Sequence, residues 1–179
     1  GFFEDELGQP SHDVFLPDCF GFGWALPSIA AHCGIVGFSS SKLEWGPSVP
    51  IPFDIGFWEG VDGNGLVALI NPGQYAHPIK ERVDNDAEWL ERIDTTGNAC
   101  GRYAGFKYFG LGDTGGAPDE ESVRLLEESI AADGDYNVVS APADALCREF
   151  TPEEIEKLPH HRGELLLIEH GTGTYTAHG

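Results

Sequence analysis

The chain has 179 residues with 30 acidic and 10 basic side chains, a formal charge of −20 with histidines neutral. Such a charge repels phosphate backbones and anionic leaflets, so nucleic acid and a membrane surface are excluded as expected partners. Apolar residues make up 41% and aromatics 11%, enough to bury a core and to set disorder aside. No apolar run approaches the roughly 20 residues of a membrane helix, and a soluble protein is expected. The opening GFFEDELGQP carries three acids and no basic residue, unlike the charged start of a secretory signal. With Gly1 first and no methionine anywhere, the sequence reads as a segment of a longer chain or a processed product. Four lysines face seventeen glutamates, a balance that suits high salt, although a solvated surface is the plainer account. Cys19, Cys33, Cys100 and Cys147 lie far apart with no CxxC pair, and read as mostly buried thiols rather than a disulfide framework.

Residues 14–16 form a short apolar run ending at Pro17-Asp18, a strand with a carboxylate at its tip. Residues 25–32 have helical spacing, with Leu26, Ile29, Ala30 and Cys33 on one side and Gly34 as the stop. Residues 35–38 read as the next strand, and 53–58 and 66–70 flank the turn-rich VDGNG as an inserted β-hairpin. A short amphipathic helix is predicted over 86–93, then a strand over 106–111 ending in the acid-bearing turn GDTGGAP. The clearest helix starts at Pro118-Asp119, has Val123, Leu125, Leu126 and Ile130 as its apolar face, and closes at Gly134. A strand over 136–140, helices over 143–150 and 152–158, and a last strand over 164–168 complete the pattern. Strands alternating with helices predict an α/β fold with a parallel sheet, one domain spanning residues 1–179. In such folds chemistry gathers at the carboxyl ends of the strands, which singles out Asp18, residues 39–42, Asp113 and His170.

Asp18 sits among apolar residues in LPDCFGFGWALP, too far from Ala25 to cap that helix. A carboxylate so placed calls for a metal, a cation or a reaction intermediate as partner. Asp113 stands on a glycine-rich turn that lacks the lysine and the GxxxxGK[ST] order of a phosphate loop. Two readings of it stay open: proton transfer, as half of the carboxylate pair that glycoside cleavage needs, or an aspartate fixing its own turn. Adjacent His160 and His161 read as a solvated helix end, whereas His170 follows the apolar ELLLI at a strand tip. Phe20, Trp24, Trp45, Phe57, Trp58 and Tyr175 supply aromatic faces near these tips, of the kind that grip neutral sugars or pack a core.

The segments LPDCFGFGWALPSIAAHCGIVGFSSSKLEWG, PFDIGFWEGVDGNGLVALINPGQY, GLGDTGGAPDEES and GELLLIEHGTGTYTAHG, in this order, resemble the N-terminal catalytic domain of family 38 glycoside hydrolases, the retaining α-mannosidases. The resemblance implies a distorted parallel β/α barrel, here incomplete, acting on α-mannoside glycans. It implies that Asp18 is the nucleophile and also a ligand of a divalent metal, usually zinc. The resemblance puts Asp113 where related bacterial members keep the general acid/base, Phe20 where an aromatic lines the sugar pocket, Lys42 where a basic, substrate-binding residue stands near the nucleophile, and His170 near where a planar ring flanks the substrate. The family's His-x-Asp pair and His-Asp-Ala-x-Thr-Gly-Thr segment do not occur in this sequence. The expectation is therefore an internal fragment whose remaining metal ligands and partner domains belong to the parent chain. Two classes stay open, the core of a retaining α-mannosidase and an inactive carbohydrate-binding or structural fragment. A metal-dependent deacetylase on a related barrel would need a complete ligand set, which the sequence does not offer.

Overall fold

The computed structural model describes residues 1–46, 52–70, 73, 75–169 and 171. The chain forms two compact units, Gly1–Asn71 with Ala143–Gly179, and Pro72–Pro142.

The first unit begins with a short helix α1 (Phe2–Leu7) and strand β1 (Asp13–Phe15), followed by β2 (Gly21–Phe22), helix α2 (Ala25–His32) and β3 (Gly37–Ser39). The hairpin follows as β4 (Ile55–Glu59) and β5 (Gly65–Leu69), antiparallel to each other with Phe57 opposite Val67. It is not an appendage. β5 runs parallel to β3 with Val67 opposite Gly37, so the hairpin supplies the centre of a five-stranded, mostly parallel sheet. The expected mixed α/β class is what the chain adopts.

Helices α5 (Ala145–Glu149) and α6 (Pro152–Ile155) form where helices were expected, in shorter versions. Thr151 caps α6 by accepting from Glu154 N while the Glu154 carboxylate accepts from Thr151 N. His160 and His161, expected as a helix end, lie instead in strand β6 (His160–Arg162), parallel to β4. This edge strand carries no apolar alternation to announce it. Its side chains do help hold it: His160 lies against Phe57 at 5.1 Å between ring centroids, and Arg162 Nε pairs with Glu59 at 3.3 Å. The last expected strand shortens to β7 (Leu165–Leu166) and pairs antiparallel with β2, in a separate two-stranded sheet.

The core of this unit is aromatic. Phe22, Phe38 and Trp58 meet edge to face, with centroids 4.8 Å apart for Phe22 and Phe38 and 5.0 Å for Phe38 and Trp58. Trp58 is fully buried and its indole N–H donates to Gly163 O at 2.9 Å, so its polar atom is satisfied inside the core. Truncating such a residue to alanine costs about 3–5 kcal/mol. Helix α2 buries Pro27, Ser28 and Ala30, whereas Ile29 is 59% exposed and Cys33 is exposed, so its buried face is rotated from the one expected. Ser28 explains the rotation: its hydroxyl donates to Asp62 Oδ1 at 2.6 Å, turning a polar face toward the hairpin. Cys147 and Cys100 are buried, so the thiols divide evenly rather than being mostly buried.

The second unit contains α3 (Ala87–Cys100) and α4 (Glu120–Ile130), and no strand among the described residues. Asp86 caps α3 through Trp89 N, and the helix runs beyond the expected end at residue 93 until Gly101 at φ +90° closes it. Asp119 caps α4 by accepting from Ser122 N at 2.7 Å. The buried face of α4 carries Ser122, Leu125 and Ser129, while Val123 and Ile130 are exposed. Its two serines receive backbone N–H groups from Ile79 (2.9 Å) and Val83 (3.0 Å), which docks that segment on the helix. The strands expected over 106–111 and 136–140 do not form. A strand needs a partner for its ladder, and the described residues of this unit provide none. Gly110 inside the first also weakens it; its carbonyl at Phe106 instead accepts from the Trp89 indole at 2.9 Å.

Candidate active site

Parallel pairing places the site. β1 and β3 are neighbours with Phe15 opposite Ser39, and the pairing continues as Leu16 N donates to Ser39 O at 3.0 Å. Beyond the strand ends, Ser41 Oγ donates to Pro17 O at 3.0 Å, tying the two exit loops together. Asp18 and Lys42 consequently meet as an ion pair through Asp18 Oδ1. Asp18 is open to solvent, its side chain 55% exposed, whereas that of Lys42 is only 8% exposed.

A buried ammonium needs charge and polarisable surroundings to replace water. Beside Asp18, Lys42 Nζ has the Trp45 ring at 3.8 Å and the Phe20 ring at 5.0 Å from their centroids. Lys42–Glu44 forms a 3₁₀ turn, and residues three apart eclipse in that geometry, which brings Trp45 over Lys42. A turn of three residues leaves no periodicity in SKLEW, so the pairing of Trp45 with Lys42 emerges only in the structure. Gly171, at φ +67°, comes so close to Phe20 that a Cβ there would lie 2.7 Å from its ring. Ser40 Oγ, two residues before Lys42, is fully buried and makes no hydrogen bond among the described residues.

The other expected aromatics divide by role. Trp58 belongs to the core, Phe57 is half-buried against His160, and Trp24 donates its indole N–H to Glu59 O at 2.9 Å. Tyr175 and His170 lie outside the described residues. A cavity of about 500 Å³ opens near the amino ends of the strands, lined by His12, Val36, Gly65, Cys147 and Phe150 among others, away from the end that carries Asp18.

Asp113 belongs to the second unit and is exposed on the turn that precedes α4. It does not follow a strand, because the expected one is absent. Among the described residues it is the one non-glycine with positive φ, at +62°. Aspartate tolerates this left-handed conformation better than most residues.

Residues 1–164 match the glycosyl hydrolases family 38 N-terminal domain. The chain belongs to this family. Among its family 38 relatives, alpha-mannosidase 2C1 of Mus musculus is 34% identical over 99% of this chain, and alpha-mannosidase G of Dictyostelium discoideum is 28% identical over 98%. The chain spans 16% of the length of each. The crystal structure of an alpha-mannosidase from Enterococcus faecalis V583 has the same fold, with a TM-score of 0.55 at 18% identity over 90% of this chain and 19% of that one.

A divalent metal, implied by the resemblance to family 38, is not accommodated by these residues alone. No group of three or more His, Cys, Asp or Glu side chains able to hold an ion occurs among the described residues. Asp18 contributes one carboxylate, already engaged by Lys42, where zinc takes three protein ligands at a catalytic site and four at a structural one.

Proposed function

We propose that this chain is part of the catalytic domain, a partial domain over residues 1–179, of a retaining α-mannosidase that acts on terminal α-mannosides of glycans. The observation that carries the reading is the constellation of Asp18, Lys42 and Phe20 beyond the carboxyl ends of two adjacent parallel strands, in a chain of family 38. Asp18 is the nucleophile. Its carboxylate oxygen bonds to the anomeric carbon as the glycosidic bond breaks, and Asp113 gives its proton to the departing oxygen. In the second half Asp113 takes a proton from water, the water oxygen bonds to the anomeric carbon, and the ester to Asp18 breaks. The left-handed backbone of Asp113 supports its part, since such conformations recur at functional sites. Phe20 offers a ring face to the sugar, with Lys42 and His170 as further substrate contacts.

Zinc would be the metal, with Asp18 one ligand and the remaining donors in the rest of the parent chain. The donor count favours a second reading for the isolated chain alone, a carbohydrate-binding or structural piece without turnover. The first reading is tested by treating the full-length parent with a fluorinated mannosyl fluoride that stalls at the covalent intermediate. Mass spectrometry should find a single mannosyl adduct on the peptide containing Asp18. An adduct on another residue, or turnover with inversion and no adduct, sinks the assignment.

A further inference from the structure

Lys42 is buried, whereas Lys80 and Lys157 are exposed and Lys107 is half-buried. A lysine side chain is long and its ammonium strongly hydrated, so it keeps one buried position only where something replaces its water. Asp18 does so on one side, and the Trp45 face, 3.8 Å from Nζ, supplies the nearer of its two aromatic contacts. Trp45 is itself fixed at both flanks. Its N–H donates to Lys42 O at 3.1 Å, and Gly46 O accepts from Ile168 N at 2.9 Å. A Cβ at Gly46 would lie 3.1 Å from Glu169 Cβ, so the turn is also confined from the β7 side. Trp45 nevertheless remains 45% exposed, more than a core-packing role requires.

We propose that Trp45 is a positioning residue, whose indole face holds the Lys42 ammonium against Asp18 and so orients the carboxylate for attack. The proposal rests on the α-mannosidase reading above. Without the indole the ammonium exchanges Asp18 for water, and the carboxylate is free to rotate away from the anomeric carbon. Cation–π contacts shift such equilibria by about twofold to thirtyfold.

The test uses the full-length parent enzyme and two readouts. With an aryl α-mannoside, Trp45→Leu should lower kcat about tenfold with KM within about twofold, and Trp45→Phe should stay within about threefold of wild type. In a Lys42→Met background, Trp45→Leu should have no further effect on kcat. A rise in KM in both backgrounds would make Trp45 a sugar platform and overturn the proposal. The second readout needs no turnover: reductive methylation of Lys42, followed by mass spectrometry with Lys80 and Lys157 as exposed references. Labelling should be slow in wild type and Trp45→Phe and at least about fivefold faster in Trp45→Leu. Trp45→Gln, which keeps bulk without a ring face, serves where the leucine variant does not fold. Unchanged Lys42 labelling overturns the proposal whatever the activity, as does faster labelling with kcat unchanged. Faster labelling in a parent without mannosidase turnover defeats the functional reading and, with it, the orienting role of Trp45, while leaving the lysine contact in place.

Discussion

Asp18 and Lys42 stand at equal offsets beyond a matched pair of residues: Phe15 of β1 is in register with Ser39 of β3, and each site residue follows three positions later. Neighbouring parallel strands thus deliver the acid and the base to one edge, and a register slip of either strand would part them. The pair is asymmetric in burial, and that asymmetry sets its energetics. Removing the carboxylate strands a buried ammonium, whereas removing the ammonium leaves a carboxylate that is half in water.

The first prediction is that Asp18→Asn destabilises the chain by about 1–2 kcal/mol and Lys42→Met by much less, since methionine packs well against aromatic rings. Urea denaturation of both variants checks this. Equal losses would mean that Lys42 is not held as a buried charge.

Asp62 governs how the hairpin meets α2. Its carboxylate accepts from Ser28 Oγ at 2.6 Å, from Asn64 N at 3.1 Å and from Asn64 Nδ2 at 2.8 Å, and has His32 Nε2 at 2.8 Å. The Ser28 hydrogen bond first, then those of Asn64 and His32, hold it well below the usual carboxylate range. A depressed folded pKa contributes stability that is present above the unfolded value of about 3.9 and lost as pH falls through the folded one. Between pH 5 and about 3 the Tm of wild type should therefore fall more steeply than that of Asp62→Asn. Parallel Tm curves would show that the cluster carries no net preference for the charged form.

Cys147 makes the opposite case. Burial, with the nearby Asp13 and Asp144 charges, pushes its thiol up to about 12. Its contribution to stability is fully present below the unfolded thiol pKa of about 8.5 and is lost as pH rises through the folded value. At pH 8 iodoacetamide should label exposed Cys33 readily and leave Cys147 unmodified until denaturant is added, as read by peptide mass spectrometry. Rapid native labelling of Cys147 would contradict its burial.

What the sequence discloses depends on whether an element's reason for existing is local. Helix α2 is legible over its full span because Gly34, at φ +79° just past its end, stops it, although its buried face is not the one the apolar spacing picks, and the hairpin is legible because VDGNG announces its turn. β6 is not, since a polar edge strand is stabilised by β4 across a long stretch of chain. Residues 106–111 look like a strand, but among the described residues no strand pairs with them, a tertiary fact no window of sequence contains. At the site, Asp18 and Lys42 stand out by type and place, whereas the hold of Trp45 on Lys42 depends on a 3₁₀ turn too short to leave a periodic trace.

The two carboxylates separate by their chemistry in the full-length enzyme. Asp18→Asn should abolish turnover of an aryl α-mannoside, because no group remains to form the covalent intermediate. An activated aryl leaving group needs little protonation, so in Asp113→Asn the first half survives. The second half, deprived of a base for water, should slow by about 10²–10⁴-fold and let the mannosyl-enzyme accumulate as a burst. Azide attacks without a base, and should restore turnover to Asp113→Asn with an α-mannosyl azide as product, leaving Asp18→Asn inactive. If azide restores neither variant, or if Asp113→Asn turns over at the wild-type rate, another group supplies the proton and Asp113 merely shapes its turn.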